Sequence, residues 1–423
     1  MKAQPGAAEE WRQFWFLPLV AALGYSTAVL HTYVMGPFIE PLQKEFGWSR
    51  AGISFGLTIA GLTGAVLAVP VGMVVDRIGP RRLVLAGVLL MPASIGLLGT
   101  ATGSLANWYA LWSFVAFANL FLQATAWTSA IASRFEKGRG FAFAVTLSGA
   151  SLCAVVLPYV ATKLIMAFDW RTAFMMVGGI WALSVFPMMF FFFRGAQDDR
   201  AAKVHTDRPA PAAELTGASV PEAMKSAAFY QLFVASLLFS FTAVGVIVHF
   251  VPILTERGAT PLGAAGVASI IGLSSIVGRL GTGFLIDRFS ASLVGAVAFL
   301  LPVGSCLLLL LNGTDPWSQS VAAALFGITV GAEIDVIAFL TTRQFGLKNY
   351  GIIFGAIVTA IAAGTAFGPL AAGAAFDVFG GYSQFLVLTM GTMLLGAACI
   401  ATLKHPRRER WWAFSGMLQG SSA

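Results

Sequence analysis

One guanidinium interrupts the apolar stretch "SSIVGRLGTGFLIDRF", Ser274 to Phe289. Arg279 stands eight residues before the next charge, Asp287, a separation of about 12 Å along a helix axis. Its planar fork matches a carboxylate with two parallel charge-assisted bonds, so one chemistry open to it is the binding of an organic anion. The competing role is an internal ion pair with Glu333 or Asp335 of "GAEIDVIAFL". Those acids lie two residues apart and point about 200° from each other on a helix, so only one can face a shared cavity squarely. A carboxyl in a low dielectric holds its proton more tightly than in water and can cycle it near physiological pH. Glu333, Asp335, His31 and His249 are therefore candidate proton carriers, with structural hydrogen bonding as the alternative for each. Asn119 and Gln123, spaced i and i+4 with Trp112 two turns back, would share one helix face. Their amides could bind a solute or join helices. Tyr33 and Trp127 are candidate cavity walls, although aromatics in such runs more often pack or anchor.

What surrounds these groups decides their cost. The chain is 57% hydrophobic and 11% charged, with a mean hydropathy of +0.80, against about 25% charged for soluble domains. Apolar runs of roughly 20 residues recur along it, the length that crosses a hydrocarbon core as helix. Twelve spans are expected at 14–38, 51–75, 83–101, 107–133, 140–166, 172–194, 227–255, 262–286, 291–311, 317–342, 351–376 and 382–403. The first run is too long for a signal-peptide core and lacks a small-residue cleavage site. At its depth in the eighth span, Arg279 costs at least about 2.5 kcal/mol unless it meets water or a partner. With the N-terminus inside, 20 Lys/Arg fall on cytoplasmic segments and five on outer loops. That asymmetry places both termini in the cytoplasm and explains the net charge of +7 as topology, with no nucleic-acid partner required. Cys153, Cys306 and Cys399 lie far apart inside spans, without metal-ligand or disulfide spacing.

The polar stretch from Gly195 to Lys225 divides the spans six and six. The expected organisation is an amino-terminal bundle over 1–194, a cytoplasmic linker over 195–226, a carboxy-terminal bundle over 227–404 and a tail over 405–423. The halves also repeat. "GMVVDRIG" (Gly72–Gly79) and "GFLIDRFS" (Gly283–Ser290) are offset by 211, "RFEKGRG" (Arg134–Gly140) and "RQFGLKNYG" (Arg343–Gly351) by 209, and "AFDWRTAF" (Ala167–Phe174) and "AFDVFGGY" (Ala375–Tyr382) by 208. Three pairs in order at nearly one offset indicate a duplicated six-helix unit, a design in which secondary transporters place the substrate between the halves.

"GMVVDRIGPRR", Gly72 to Arg82, resembles the loop after the second helix of the major facilitator superfamily, departing from its pattern at Pro80. "FGWSR" (Phe46–Arg50), "RFEKGRGFAFAVTLSGAS" (Arg134–Ser151) and the lone Arg279 are similar to the monocarboxylate transporter branch with its oxalate/formate-exchanger relatives. The resemblance implies an all-α fold of two pseudo-symmetric six-helix bundles, with helices 1, 4, 7 and 10 lining a central cavity and 3, 6, 9 and 12 facing lipid. The ionisable groups agree, since His31, His249, Arg279, Glu333 and Asp335 fall in helices 1, 7, 8 and 10. By the same resemblance Arg279 is the substrate-binding arginine. The chain departs from the branch in having Ser275 one turn before it where many members carry an acid, His31 in place of a first-helix lysine, and no lysine in helix 11. One buried cation suits one carboxylate.

At the cytoplasmic helix ends, Asp76 with Arg77 and Asp287 with Arg288 stand beside Arg134 and Arg343, an arrangement expected to latch the halves in the outward-open state. The function these features imply is secondary transport of a small monocarboxylate, with a proton, by a monomer in the plasma (inner) membrane. Organic-anion exchange and proton-coupled export of drugs or cations are the alternatives. The chain has no metal-binding His pair, G-x-S-x-G elbow or phosphate loop, so neither an enzyme nor a cofactor is expected.

Overall fold

The computed structural model describes residues 7–195, 217–346 and 348–403, without the side chains of 7, 68, 69, 71–78, 125 and 287. The expected tail and most of the expected linker lie outside the described residues, as do the side chains of Asp76, Arg77 and Asp287. Apart from an isolated bridge between Gly217 and Gly346, every described element is an α-helix. The amino-terminal half runs α1 (Ala7–Phe14), α2 (Phe16–Ala28), α3 (Leu30–Phe46), α4 (Arg50–Ile78), α5 (Pro80–Leu98), α6 (Leu105–Leu120), α7 (Ala124–Ala132), α8 (Arg139–Leu147), α9 (Gly149–Ala167) and α10 (Trp170–Phe192). The carboxy-terminal half runs α11 (Val220–Met224), α12 (Ala227–Glu256), α13 (Pro261–Arg288), α14 (Ala291–Asn312), α15 (Pro316–Phe345), α16 (Tyr350–Phe379) and α17 (Ser383–Ala401).

Many helix starts are written in the local sequence. Asp169, Ser226, Thr260, Ser290 and Asp315 each accept a hydrogen bond from the backbone N–H three residues on, and Pro261 and Pro316 occupy first-turn positions that need no donor. Among the described residues, ten helical segments are long and apolar enough to cross a membrane, and α2 with α3 supplies an eleventh as a pair bent by 41°. The expected fourth span is split between α6 and α7. At that break the Trp127 indole N–H donates to the Leu122 carbonyl at 3.0 Å, which replaces a bond the helix gives up. Trp127 is fully buried and therefore braces the break; it does not wall a cavity. Breaks also separate α8 from α9 at Ser148. The corresponding helices of the other half, α12, α15 and α16, each run unbroken for 30 residues.

The repeat extends to the short helices that precede each bundle. Glu10 of α1 accepts from the backbone N–H groups of Glu136, Lys137 and Gly138 at 3.2, 3.1 and 2.9 Å. These bonds, that of Gly138 first, hold its carboxyl below the usual carboxylate range. In the other half, Ala218 donates to the Phe345 carbonyl and Asn349 donates back to the Ala218 carbonyl, both at 2.8 Å, just ahead of α11. Each bundle thus ties its leading segment to the loop between its fourth and fifth spans.

One buried apolar cluster joins Leu17 to Phe193 and takes only Val248 from beyond, while two others lie within 218–403. The halves meet mainly where α4 packs on α16, α9 on α13 and α3 on α12.

Candidate functional site

Arg279 reaches its partner because glycines bring α13 and α15 together. A Cβ on Gly331 would lie 1.9 Å from the Ser275 carbonyl oxygen and 2.8 Å from the Arg279 nitrogen, and one on Gly327 would lie 2.4 Å from the Ile271 carbonyl oxygen. Gly278 makes the reciprocal approach to the Ile328 carbonyl at 2.1 Å. Only glycine permits backbones this close. Asp335 is one turn beyond Gly331, which sets its carboxylate 3.5 Å from the Arg279 guanidinium. The ion pair is real but loose and uneven: the arginine side chain is 10% exposed, the aspartate 37%. Arg279 Nε has no hydrogen-bond partner. Glu333, two residues earlier, is buried at 4% exposure with Oε1 unpartnered, and lies within electrostatic reach of Asp335 and Arg279.

Two tyrosines of the opposite half, Tyr25 on α2 and Tyr33 on α3, lie within electrostatic reach of Arg279. Tyr33 also lines a crevice between the halves with Ala154, Ile247 and Ile271. Tyr25 was not among the residues singled out from the sequence, because one aromatic in an apolar run carries no signal of its own. His31 is buried near Trp112, ring centroids 6.5 Å apart, with Nδ1 unpartnered. Asn119 and Gln123 do not form the expected shared face. The helix stops at Leu120, and Gln123 adopts an extended conformation ahead of α7. Ser275, where an acid was noted as absent, donates to Ser151 across the halves at 2.7 Å.

His249 belongs to a different constellation. Its Nε2 lies 3.0 Å from the Pro369 carbonyl and 3.1 Å from Ser54 Oγ, and its Nδ1 is 2.7 Å from the Tyr382 hydroxyl. The carbonyl can only accept, which puts the ring proton on Nε2 and makes Nδ1 the acceptor from Tyr382. That hydroxyl in turn accepts from Arg50 at 2.8 Å. Arg50 also donates through Nε to Gln43 and stacks 3.4 Å over the Phe376 ring. Its backbone N–H and that of Ala51 donate to the two carboxylate oxygens of Asp377 at 2.9 and 2.8 Å. Asp377 thereby caps the first turn of α4 from the other half of the molecule.

The contact continues down one stripe of α4. Arg50 and Ser54 are followed by Thr58, which donates to the Ala366 carbonyl at 2.6 Å, and by Gly61, where a Cβ would lie 3.0 Å from Ala366. The eleven helical steps from Arg50 to Gly61 span about 16 Å, more than half of a hydrocarbon core. Beyond Gly61 the helix leaves its partner, and Val66 is 75% exposed. The sequence showed Arg50 as an outer-loop charge at the end of "FGWSR" and Asp377 as part of a repeat, and nothing local tells that residues more than 300 apart will meet.

At the opposite, basic end, several arginine bonds lie within one half. Arg81 donates to the Phe190 and Phe193 carbonyls, and Arg134 donates to Gly195 while lying over Phe14. Arg288 lies over the Phe284 ring of its own helix, and Arg343 is exposed. Hydrogen bonds of Arg50, Ala51, Ser54, Thr58 and Ser275 join the halves elsewhere.

The sequence model of the Major Facilitator Superfamily matches residues 21–369. Monocarboxylate transporter 13 of Bos taurus is 26% identical over 376 residues, 88% of this chain and 84% of its own. A chloramphenicol resistance protein of Streptomyces lividans is 27% identical over 288 residues, 67% of this chain and 69% of its own. Among solved structures, a bacterial homolog of the human lysosomal transporter Spinster, inward-facing and unoccupied, superposes with a TM-score of 0.69 at 16% identity, covering 92% of this chain and 96% of that one. At that identity the likeness is one of fold. Two bundles of membrane helices, joined along α4–α16 and α9–α13, and a family match running from the first span into the eleventh lead to one assignment: the chain is a membrane transporter belonging to the Major Facilitator Superfamily.

Proposed function

We propose that this transporter moves a monocarboxylate by alternating access, with a proton as the coupled ion. The observation that carries the reading is Arg279: one cation, nine-tenths buried, incompletely bonded and within reach of tyrosines from the other half. Its single acidic partner holds it at 3.5 Å, a distance from which a substrate carboxylate can displace it. A proton taken up by Asp335 frees the guanidinium for the anion, and the loaded site then carries one negative and one positive unit together. Glu333 is the second candidate carrier, because it is buried with Oε1 unpartnered and a bound proton removes the cost of an ionised carboxylate there. With the basic end cytoplasmic, the closure by Arg50, Asp377, Tyr382 and His249 seals the outer side, and the site is reached from the cytoplasm. Rocking of the halves, acting as a monomer in the plasma membrane, would open that seal and bring the Arg134 and Arg343 ends together.

Counterflow in proteoliposomes with mono- and dicarboxylates across imposed pH gradients tests this. Arg279→Ala is expected to abolish uptake without rescue by Arg279→Lys, since an ammonium lacks the bidentate fork. Glu333→Gln is expected to uncouple uptake from the pH gradient, and intact proton coupling in that variant would remove Glu333 from the relay. Drug export is the competing reading, favoured by the Streptomyces lividans relative. It would leave Arg279 as the counter-ion of Asp335, and export would then survive Arg279→Lys.

A further inference from the structure

An open cleft, with Leu19, Phe141 and Leu280 each about half exposed, is lined in part by residues that neighbour Arg279 in sequence. It measures about 380 Å³ and is lined from both halves, by Leu19 and Leu23 of α2, Phe141 and Val145 of α8, and Ile276 and Leu280 of α13 among others. Its one hydroxyl, Ser148, already donates to the Ala144 carbonyl at 2.7 Å, so the walls offer a solute no free side-chain donor. Arg279 stands between Ile276 and Leu280 in sequence and within about one turn of both. Among the described residues, the cations that adjoin the lining in sequence are Arg279 and Arg139, and the Arg139 guanidinium already donates to the Phe135 and Ala132 carbonyls.

We infer that the substrate is an amphipathic monocarboxylate: an acid group held at Arg279 and a hydrocarbon body, alkyl or aryl, laid into this cleft between the halves. The inference rests on the reading of Arg279 as the carboxylate-binding cation and narrows it. A volume of this size with apolar walls and one charge at its side is the makeup of a small-molecule pocket. An acid of one or two carbons would leave the cleft occupied by water that finds few partners there. A dicarboxylate would place its second charge against leucine and phenylalanine, at a heavy desolvation cost. Because the cleft is formed by α2, α8 and α9 on one side and α13 on the other, a body lodged in it touches both moving halves.

The test uses the full-length protein in lipid nanodiscs, with affinity read from ligand-dependent thermal stabilisation. The probes are the straight-chain monocarboxylates from acetate to octanoate, the dicarboxylates of matched length, and octanamide. Affinity is expected to rise roughly fourfold per added methylene until the cleft is filled, with the matched dicarboxylates and octanamide binding at least tenfold more weakly than octanoate. Ala144→Phe, which narrows the cleft away from Arg279, is expected to flatten the chain-length series while leaving acetate binding unchanged. Binding of short and long acids with equal affinity would overturn the inference and leave the carboxylate reading standing. Octanamide binding as well as octanoate would overturn it too, by making the cleft a site for neutral or lipid chains. Stabilisation by no carboxylate of any length would remove both.

Discussion

Replacing Asp377 by asparagine keeps the shape of the side chain and removes the charge that caps α4 across the halves. The carboxylate now accepts from the Arg50 and Ala51 amides at 2.9 and 2.8 Å. An asparagine can satisfy one of them with its carbonyl and must turn an N–H₂ donor towards the other. Charge-assisted bonds contribute about 1.5–3 kcal/mol each when buried. Asp377 is exposed, so screening reduces the loss to about 1 kcal/mol at each amide, with the interaction with the α4 dipole included. The sum, about 2 kcal/mol, shifts the balance between closed and open forms of this end roughly thirtyfold towards open. Spin labels at Lys44 and Ser383, on opposite halves at the same end, would report it as interlabel distances in nanodiscs, in a Cys399→Ala background because Cys153 and Cys306 are buried. The wild type is expected to show one short distance and Asp377→Asn a substantial long-distance population. Tyr382→Phe, which disconnects Arg50 from His249, is expected to move the distribution the same way. Identical distributions in all three proteins would refute the assignment of this network as the closure.

Gly331→Val should lower the thermal midpoint and the folded yield sharply, since its Cβ would meet the Ser275 carbonyl at 1.9 Å, whereas Gly355→Ala, with nothing within 4 Å, should be neutral by scanning fluorimetry. Trp127→Phe leaves the Leu122 carbonyl buried without its donor and is expected to cost about 1–3 kcal/mol, measured as a lowered midpoint with the fold retained by circular dichroism. Glu10 has a folded-state carboxyl held below its ordinary range. Its contribution is therefore present in full above the unfolded value and lost only as pH falls through the lower folded one. Amide exchange at 136–138 should stay protected from neutral pH down to the ordinary carboxylate range and rise below it, while Glu10→Gln should show the loosened state at pH 7.

The fold was largely readable because membrane crossing leaves a strong trace. The lengths of apolar runs, the Lys/Arg distribution and three in-order repeats are each local or additive signals, and the helices start where Asp169, Thr260, Ser290 and Asp315 stand. The breaks at Val29 and between Phe121 and Gln123 carry no such trace. Neither contains proline or a glycine pair, and each depends on packing such as that of Leu122 against Gly87. Arg279 stood out because a charge in an apolar run is costly wherever it points. Its pairing with Asp335 required knowing which face of α15 meets α13, a matter of Gly327 and Gly331 in three dimensions. His249 was chosen on residue type alone, and its partners come from α4, α16 and the start of α17, which sequence order scatters over the chain.

The unequal continuity of the two halves has a mechanical consequence. Bending an intact helix means stretching its ladder of backbone bonds; α15 has no interior proline along its 30 residues, whereas α12 and α16 each lack one rung, at Pro252 and Pro369. In α2/α3, α6/α7 and α8/α9 the interruption is built in, and at one of them a tryptophan has taken over the orphaned carbonyl. The two bundles thus differ in where they can bend: the carboxy-terminal one at Pro252 and Pro369, the amino-terminal one also where α2 meets α3, α6 meets α7 and α8 meets α9. If the halves rock as proposed, bending of the amino-terminal one is expected to concentrate at Val29, Leu122 and Ser148.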